Sequence, residues 1–106
     1  MSAPLVNVPA RAKRGEVITI KTLISHEMET GFRYGTDGVL IPRNIITDFV
    51  CTYNGEIIFR ADFFPAVAAN PFLTFCTIAS ESGVIAFQWS GDNGYVETAS
   101  VNITVT

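Results

Sequence analysis

Histidine and cysteine are the residues of this chain whose side chains could perform redox or metal chemistry. The single histidine, His26, lies in the segment Ile24-Ser25-His26-Glu27-Met28-Glu29, where carboxylates and a thioether suggest metal binding. A redox-active iron centre needs several imidazoles and a thiolate around one ion, and one imidazole does not supply them. We therefore expect His26 to be a loop residue that hydrogen-bonds a backbone group, and we expect no metal ion or cofactor.

The two cysteines, Cys51 and Cys76, both lie inside strand-like segments. A reactive thiol needs thiolate character and access, which a strand interior does not usually provide, so structural cysteines are predicted. Immunoglobulin domains have the order Cys, Trp, Cys, whereas here the order is Cys51, Cys76, Trp89. Two reduced thiols and a disulfide across the fold both stay open. The alternative function is a small redox or metal-binding immunoglobulin-like protein that uses His26 or these cysteines.

The sequence gives little support for other catalytic or binding functions. The sequence has no Gly-x-Ser-x-Gly turn, no glycine-rich loop that opens a helix and no pair of Cys or His residues with zinc spacing, so it predicts no catalytic residues and no enzyme. The net charge of −3 would repel a phosphate backbone, which disfavours nucleic-acid binding. No apolar run approaches the roughly 20 residues that span a bilayer. The N-terminal residues also lack the layout of a secretory signal.

The elements that must position these residues are strands. Alternating or apolar runs of five to nine residues lie between turn signals, and no window has a convincing helical period. The 106 residues have room for one domain, covering residues 1–106. The pattern predicts an all-β, immunoglobulin-like antiparallel β-sandwich of about seven strands. These strands are Leu5–Val8, Glu16–Ile24, Phe49–Tyr53, Ile57–Phe63, Phe72–Ala79, Val84–Trp89 and Tyr95–Thr106.

A β-hairpin is predicted at Asn54-Gly55, because both residues tolerate the positive φ of a type I′ turn. In the returning strand, alternation places four apolar side chains on one face and Arg60 and Asp62 on the other. The four apolar residues are Ile57, Phe59, Ala61 and Phe63.

The chain has more apolar side chain than a small sandwich can easily bury. Hydrophobic residues make up 48% of it and charged residues 16%, against roughly 25% charged residues in an ordinary soluble domain. The connection from Phe63 to Phe72 is nearly uncharged, so it is either an exposed interface or a lid folded on the core, and the pattern favours neither. Outward-facing positions near it are apolar as well. The predicted partner-interface residues are Phe63, Phe64, Ala66, Val67, Ala69, Phe72, Cys76 and Ile78.

A long unpatterned stretch, residues 26–44, is predicted to be a crossover loop between the sheets. Long loops in compact domains are often functional. Contact with a partner and a plain connection are both consistent with the sequence.

Six blocks of residues stand out in order along the chain. They are Ala12-Lys13-Arg14-Gly15-Glu16, Ile24-Ser25-His26-Glu27-Met28-Glu29-Thr30-Gly31, Phe49-Val50-Cys51-Thr52-Tyr53, Phe59-Arg60-Ala61-Asp62, Ala69-Asn70-Pro71 and Gly91-Asp92-Asn93-Gly94. Together these blocks resemble the SoxZ family of the bacterial sulfur-oxidation (Sox) system. One departure is Glu27, where the family often has proline.

The resemblance implies a non-catalytic subunit that pairs with SoxY as the SoxYZ heterodimer, a carrier of covalently bound sulfur intermediates in thiosulfate oxidation. It further implies that the sulfur is held on a cysteine of a flexible C-terminal arm of SoxY, which visits enzymes such as SoxXA and SoxB. Export to the periplasm with the signal-bearing partner is also implied. This sequence ends in a strand-like segment, residues 100–106, without glycine or cysteine, so we expect the carrier cysteine on the other subunit.

Overall fold

The alternating segments form eight strands within residues 3–106, the part of the chain that the computed structural model describes. A short 3₁₀ turn at Asp92–Gly94 is the sole helical element of that part. The predicted all-β class is therefore confirmed. The strands are β1 (Leu5–Asn7), β2 (Arg11–Ala12), β3 (Val17–Leu23), β4 (Ile46–Tyr53), β5 (Glu56–Asp62), β6 (Phe72–Ile78), β7 (Gly83–Gly91) and β8 (Val96–Val105).

The strands assemble into two sheets that form a β-sandwich. One sheet has the order β1-β3-β6 and the other the order β2-β8-β7-β4-β5. Every neighbouring pair is antiparallel except β2 and β8, which run parallel. The two-residue strand β2 is the element that raises the predicted number of about seven to eight. A pattern of two residues is too short to show a period, so sequence reasoning missed it.

Alternation decides which side chains enter the space between the sheets. In β3, Ile18 and Ile20 are buried while Val17, Thr19 and Lys21 are exposed. In β7 the three inward side chains are Ile85, Phe87 and Trp89, each at most 1% exposed, as predicted.

The Asn54-Gly55 hairpin is confirmed, with φ of 48° and 84° at the two residues. A β-bulge beside it was not foreseen. Cys51 pairs with Phe59, and Thr52 pairs with Ile57, so Ile58 has no partner in the register. The extra residue moves Ile57 to the opposite face, where it is 53% exposed. The prediction that Ile57 shares a face with Phe59 is therefore wrong.

An aromatic cluster joins the two sheets, and Phe49 is at its centre. The centroid of its ring lies 5.2 Å from that of Trp89, 6.0 Å from that of Phe75 and 6.1 Å from that of Phe59. The rings of Phe59 and Phe75 stack with centroids 4.3 Å apart. Phe75 belongs to the three-stranded sheet, and Phe49, Phe59 and Trp89 belong to the five-stranded sheet. The packing of these rings therefore holds the two sheets together.

We expect Phe49→Ala to lower the free energy of unfolding by about 3–5 kcal/mol, because it removes a fully buried ring and leaves a cavity between the sheets. Denaturant unfolding measures this change. Phe49→Leu retains most of the volume and should cost about half as much. The exposed Phe64→Ala is the matched control, expected within about 0.5 kcal/mol of the parent chain. Equal losses for Phe49→Ala and Phe64→Ala would contradict this account of the core.

Candidate partner interface

Large apolar side chains stay exposed in several parts of the described chain. They lie on the outer face of the three-stranded sheet, on the connection between β5 and β6, on the segment between β3 and β4, and singly on the five-stranded sheet. A soluble domain with no partner rarely leaves large contiguous apolar patches in water. The exposed residues are Leu5, Val17, Phe32, Tyr34, Val39, Leu40, Ile57, Phe64, Phe72, Ile78, Val84 and Val96.

The outer face of the three-stranded sheet is apolar at both ends. At one end Leu5 pairs with Leu23, and Leu23 pairs with Phe72, which gives a row across all three strands. A shallow groove of about 240 Å³ lies along this row. At the other end Val17 pairs with Ile78. This face could receive apolar side chains of another protein.

The structure divides the predicted interface residues between surface and core. Phe63 is only 6% exposed and lies in the core, which corrects its prediction as a surface residue. Its N–H donates to the Thr47 carbonyl at 2.7 Å, so the alternation of β5 continues one residue further and turns Phe63 inward. Val67 is half-buried and packs against the core.

The remaining predicted residues are exposed. Phe64 is 63% exposed, and Phe72 and Ile78 are each 58% exposed. Ala66, Ala69 and Cys76 are exposed as well. The connection from Phe63 to Phe72 is therefore a lid on the core through part of its length and an apolar surface through the rest. Its contact with a partner stays a prediction.

Residues 26–44 lie between β3 and β4, which belong to different sheets, so the predicted crossover is confirmed. Within it, residues 29–44 form an arm of two segments that bridge to each other. Glu29 and Asn44 exchange two backbone hydrogen bonds of 2.8 Å each at its base. Further out, the N–H of Ile41 donates to the carbonyl of Arg33 at 2.8 Å. The described chain is elongated, 59 Å long and only 21 and 20 Å across.

The arm holds four of the exposed apolar residues. Phe32 is 80% exposed, Tyr34 67%, Val39 62% and Leu40 47%. Sequence reasoning allowed partner contact for this segment but named none of these residues. The sequence did show aromatic and aliphatic side chains in this glycine-rich stretch. A sequence pattern cannot tell, however, whether a loop buries such a residue or exposes it.

An ion pair fixes the base of the arm to the sandwich. The guanidinium of Arg43 donates two hydrogen bonds of 2.8 Å to the carboxylate of Asp92, in the 3₁₀ turn. The same carboxylate accepts the N–H of Ile45 at 3.1 Å. The hydrogen bond from Arg43, followed by that from Ile45, lowers the pKa of Asp92 below its ordinary value. A bidentate pair of this kind sets direction as well as distance.

His26 has the structural role that the sequence predicts. Its Nδ1 accepts the N–H of Met28 at 3.0 Å, and its own N–H donates to Oδ1 of Asn70 at 3.0 Å. The ring lies edge-on to Tyr95 with centroids 4.9 Å apart. Desolvation lowers the pKa of His26, against opposing contributions from the nearby Glu27 and Asp92 carboxylates. Within residues 3–106, no group of three or more His, Cys, Asp or Glu side chains is arranged to hold a metal ion.

The two cysteines are free thiols in different surroundings. Cys51 points inward from β4 and is fully buried, and this burial raises the pKa of its thiol from 9.0 to about 12. Cys76 lies on the exposed face of β6, where its sulfur is 3.6 Å from the Thr19 hydroxyl oxygen. The sequence left open whether the two cysteines are reduced or joined by a disulfide, and in the structure both are reduced.

The described chain is an immunoglobulin-like sandwich protein. It has two mainly antiparallel sheets, an interior of alternating apolar residues and a long arm between β3 and β4. A family model described as sulphur oxidation protein SoxZ matches residues 6–102. The chain therefore belongs to the SoxZ family of sulfur-oxidation proteins, which confirms the resemblance seen in the sequence. No curated protein matches the chain significantly.

Solved structures share the fold at low sequence identity. A superoxide reductase (neelaredoxin) from Ignicoccus hospitalis has a TM-score of 0.74 and 16% identity, covering 99% of this chain and 81% of that chain. The sulfur carrier protein SoxY from Chlorobium limicola f thiosulfatophilum has a TM-score of 0.69 and 12% identity, covering 100% and 81%. A putative superoxide reductase from Thermotoga maritima has a TM-score of 0.67 and 18% identity, covering 98% and 86%. No helix among the described residues is long and apolar enough to cross a membrane.

We expect the two thiols to differ in reactivity with iodoacetamide under native conditions. Cys76 should be alkylated at least about 100-fold faster than Cys51, which reacts only when the sandwich opens. The raised pKa of Cys51 also means that the folded chain disfavours its thiolate. Below pH 9 the thiol is protonated in both the folded and the unfolded chain, and the full stability is present. As the pH rises from 9 towards 12, the unfolded chain loses this proton while the folded chain keeps it, so the free energy of unfolding falls.

Mass spectrometry of the alkylated peptides measures the first effect, and denaturant unfolding between pH 8 and pH 11 measures the second. Cys51→Ala is the control, because it should remove the part of the alkaline loss that this thiol causes. Equal labelling of both cysteines in the folded chain would contradict the assigned burial.

Proposed function

We propose that this chain is a non-catalytic subunit that pairs with a SoxY subunit to form the SoxYZ carrier of covalently bound sulfur intermediates in thiosulfate oxidation. Membership of the SoxZ family supports a role in sulfur oxidation. The observation that carries the pairing is the apolar surface that nothing in the described chain covers.

The amount of exposed apolar surface suits a stable complex. Covering Phe32, Tyr34, Phe64 and Phe72 would remove on the order of 500 Å² from water, given about 150–250 Å² for each fully buried aromatic side chain. A standard interface uses about 800 Å² from each partner. These four side chains would therefore supply more than half of one side, before Leu40 or any polar contact is counted.

The chemistry of the thiols supports a scaffold role. A sulfur carrier needs an accessible thiolate on a mobile segment, whereas Cys51 is buried with a raised pKa and Cys76 lies inside a paired strand. We propose that the covalent sulfur is held by SoxY, which delivers it to enzymes such as SoxXA and SoxB. We also propose that the complex acts in the periplasm and that this chain is exported with its signal-bearing partner.

Co-expression with a signal-bearing SoxY subunit tests this function. We expect native mass spectrometry to give a one-to-one complex, and cell fractionation to find both subunits in the periplasm. Expression of this chain without SoxY is the control and should leave it in the cytoplasm. A stable monomer that ignores SoxY would overturn the proposal, and a complex confined to the cytoplasm would overturn the localisation.

Substitution of the exposed predicted residues tests where the partner binds. Phe64→Ser and Phe72→Ser should each weaken the complex by about tenfold or more, because aromatic anchors dominate interface energetics. Val84→Ser, at an apolar residue of the five-stranded sheet that is 43% exposed, is the matched control and should change the affinity by less than about threefold. Titration calorimetry measures the affinities. If Val84→Ser weakened binding and the two phenylalanine variants did not, the interface would lie on the other sheet.

A further inference from the structure

The two open sheets of this sandwich end in four edge strands, three of which are protected against pairing. The two-residue strand β2 covers only Thr104 and Val105 of β8, so the rest of β8, which contains the charged residue Glu97, is a further open stretch. An open edge exposes unpaired N–H and C=O groups, which natural proteins usually block with short strands, proline, charge or a bulge. β1 is three residues long and lies between Pro4 and Pro9, and β2 is two residues long. β5 has a bulge and exposed charged residues, including Arg60.

The fourth edge, β6, has none of these protections within its own length, although Pro71 precedes it. Its seven residues are Phe-Leu-Thr-Phe-Cys-Thr-Ile, with no charge, proline or glycine. Its register with β3 runs without a shift from Leu23–Phe72 to Val17–Ile78. A flat, uncharged strand of high β-propensity is the type of edge to which another strand adds.

The hydrogen-bonding pattern identifies the free backbone groups. The N–H of Ala79 donates to the carbonyl of Glu16, and the N–H of Ile24 donates to the carbonyl of Pro71. Hydrogen-bonded pairs alternate along an antiparallel ladder, so Leu73, Phe75 and Thr77 direct their backbone groups to β3. The groups directed to the open edge belong to Phe72, Thr74, Cys76 and Ile78.

No described residue occupies that edge. β3 is the single strand that pairs with β6 in the part of the chain that the structure covers. None of the hydrogen bonds formed there by turns, loops or side chains involves the N–H or C=O of the four open residues. Their side chains are exposed as well, with Phe72 and Ile78 at 58%.

We propose that the open edge of β6 receives an extended strand of the SoxY partner, which continues the three-stranded sheet across the subunit boundary. This inference rests on the proposed function and assigns the contact within it. A row of alternating N–H and C=O groups is complementary to another extended backbone and to little else. SoxY from Chlorobium limicola has this same sandwich fold, so a partner of that architecture has edge strands to offer.

Residue-resolved amide hydrogen exchange of the isolated chain and of the complex tests the proposal directly. In the isolated chain, the amides of Leu73, Phe75 and Thr77 should be protected and those of the four open residues should exchange freely. In the complex the open amides should slow by about 100-fold or more, which a partner that packs only against side chains would not cause.

Thr74→Pro is the matching substitution. It removes a donor from the open edge and keeps the ladder with β3, because proline is tolerated where the N–H faces away from the sheet. We expect it to weaken the complex by about tenfold or more, since it removes one interstrand bond and obstructs its neighbours. Arg60→Pro is the control, because the bond from Phe63 N–H to the Thr47 carbonyl places the Arg60 N–H on the open edge of β5. It should change the affinity by less than about threefold.

The outcomes separate this proposal from the proposed function. A complex that forms with the four open amides unprotected and with Thr74→Pro binding normally would overturn the edge contact while the pairing stands. No complex with the unsubstituted chain would overturn the pairing itself. Protection of the same amides in a homodimer of the isolated chain would overturn the SoxY contact and assign the edge to a second copy. Circular dichroism and denaturant unfolding check that both proline variants fold.

Discussion

The contact of the Phe49 ring with side chains of both layers is the interaction on which the rest of this molecule depends. Side chains of a strand alternate between its two faces, so when one ring points into the interior the side chains next to it in the strand point to the surface. With Phe75 packed inward against Phe59, the flanking Thr74 and Cys76 must face solvent. The core therefore decides which side chains of β6 face outward, and the residue types at those positions make that face apolar.

The same arrangement explains why this small domain suits a role in a complex. Its interior is complete, with rings and aliphatic side chains at almost zero exposure, so the additional apolar residues have no space left between the sheets. They collect on the arm, on the outer face of β6 and at Phe64, where another protein can cover them. The charged residues are few, and two arginines of the arm form the ion pairs Arg33–Glu29 and Arg43–Asp92, the second of which holds the base of the arm. Binding would thus use surface that the fold cannot bury.

Two of the three residues that could do redox or metal chemistry have structural roles, whereas Cys76 keeps an exposed thiol. His26 uses its ring nitrogen to accept a backbone N–H, and Cys51 lies in the core where its thiolate is disfavoured. A superoxide reductase and a putative one share this fold at 16% and 18% identity, so the likeness is one of architecture. A sandwich of this kind is a platform on which different families place different sites.

The sequence by itself determined what depends on near neighbours along the chain. Alternation predicted the long strands and their inward residues, Asn54-Gly55 predicted the hairpin, and blocks of residues identified the family. Only the tertiary structure decided what depends on distant partners: the bulge that turns Ile57 outward, the burial of Phe63, and the pairing of the arm. The open edge of β6 is of this kind too. The alternation of a strand depends on its own residues, whereas the strand that pairs with it depends on the packing of the whole chain.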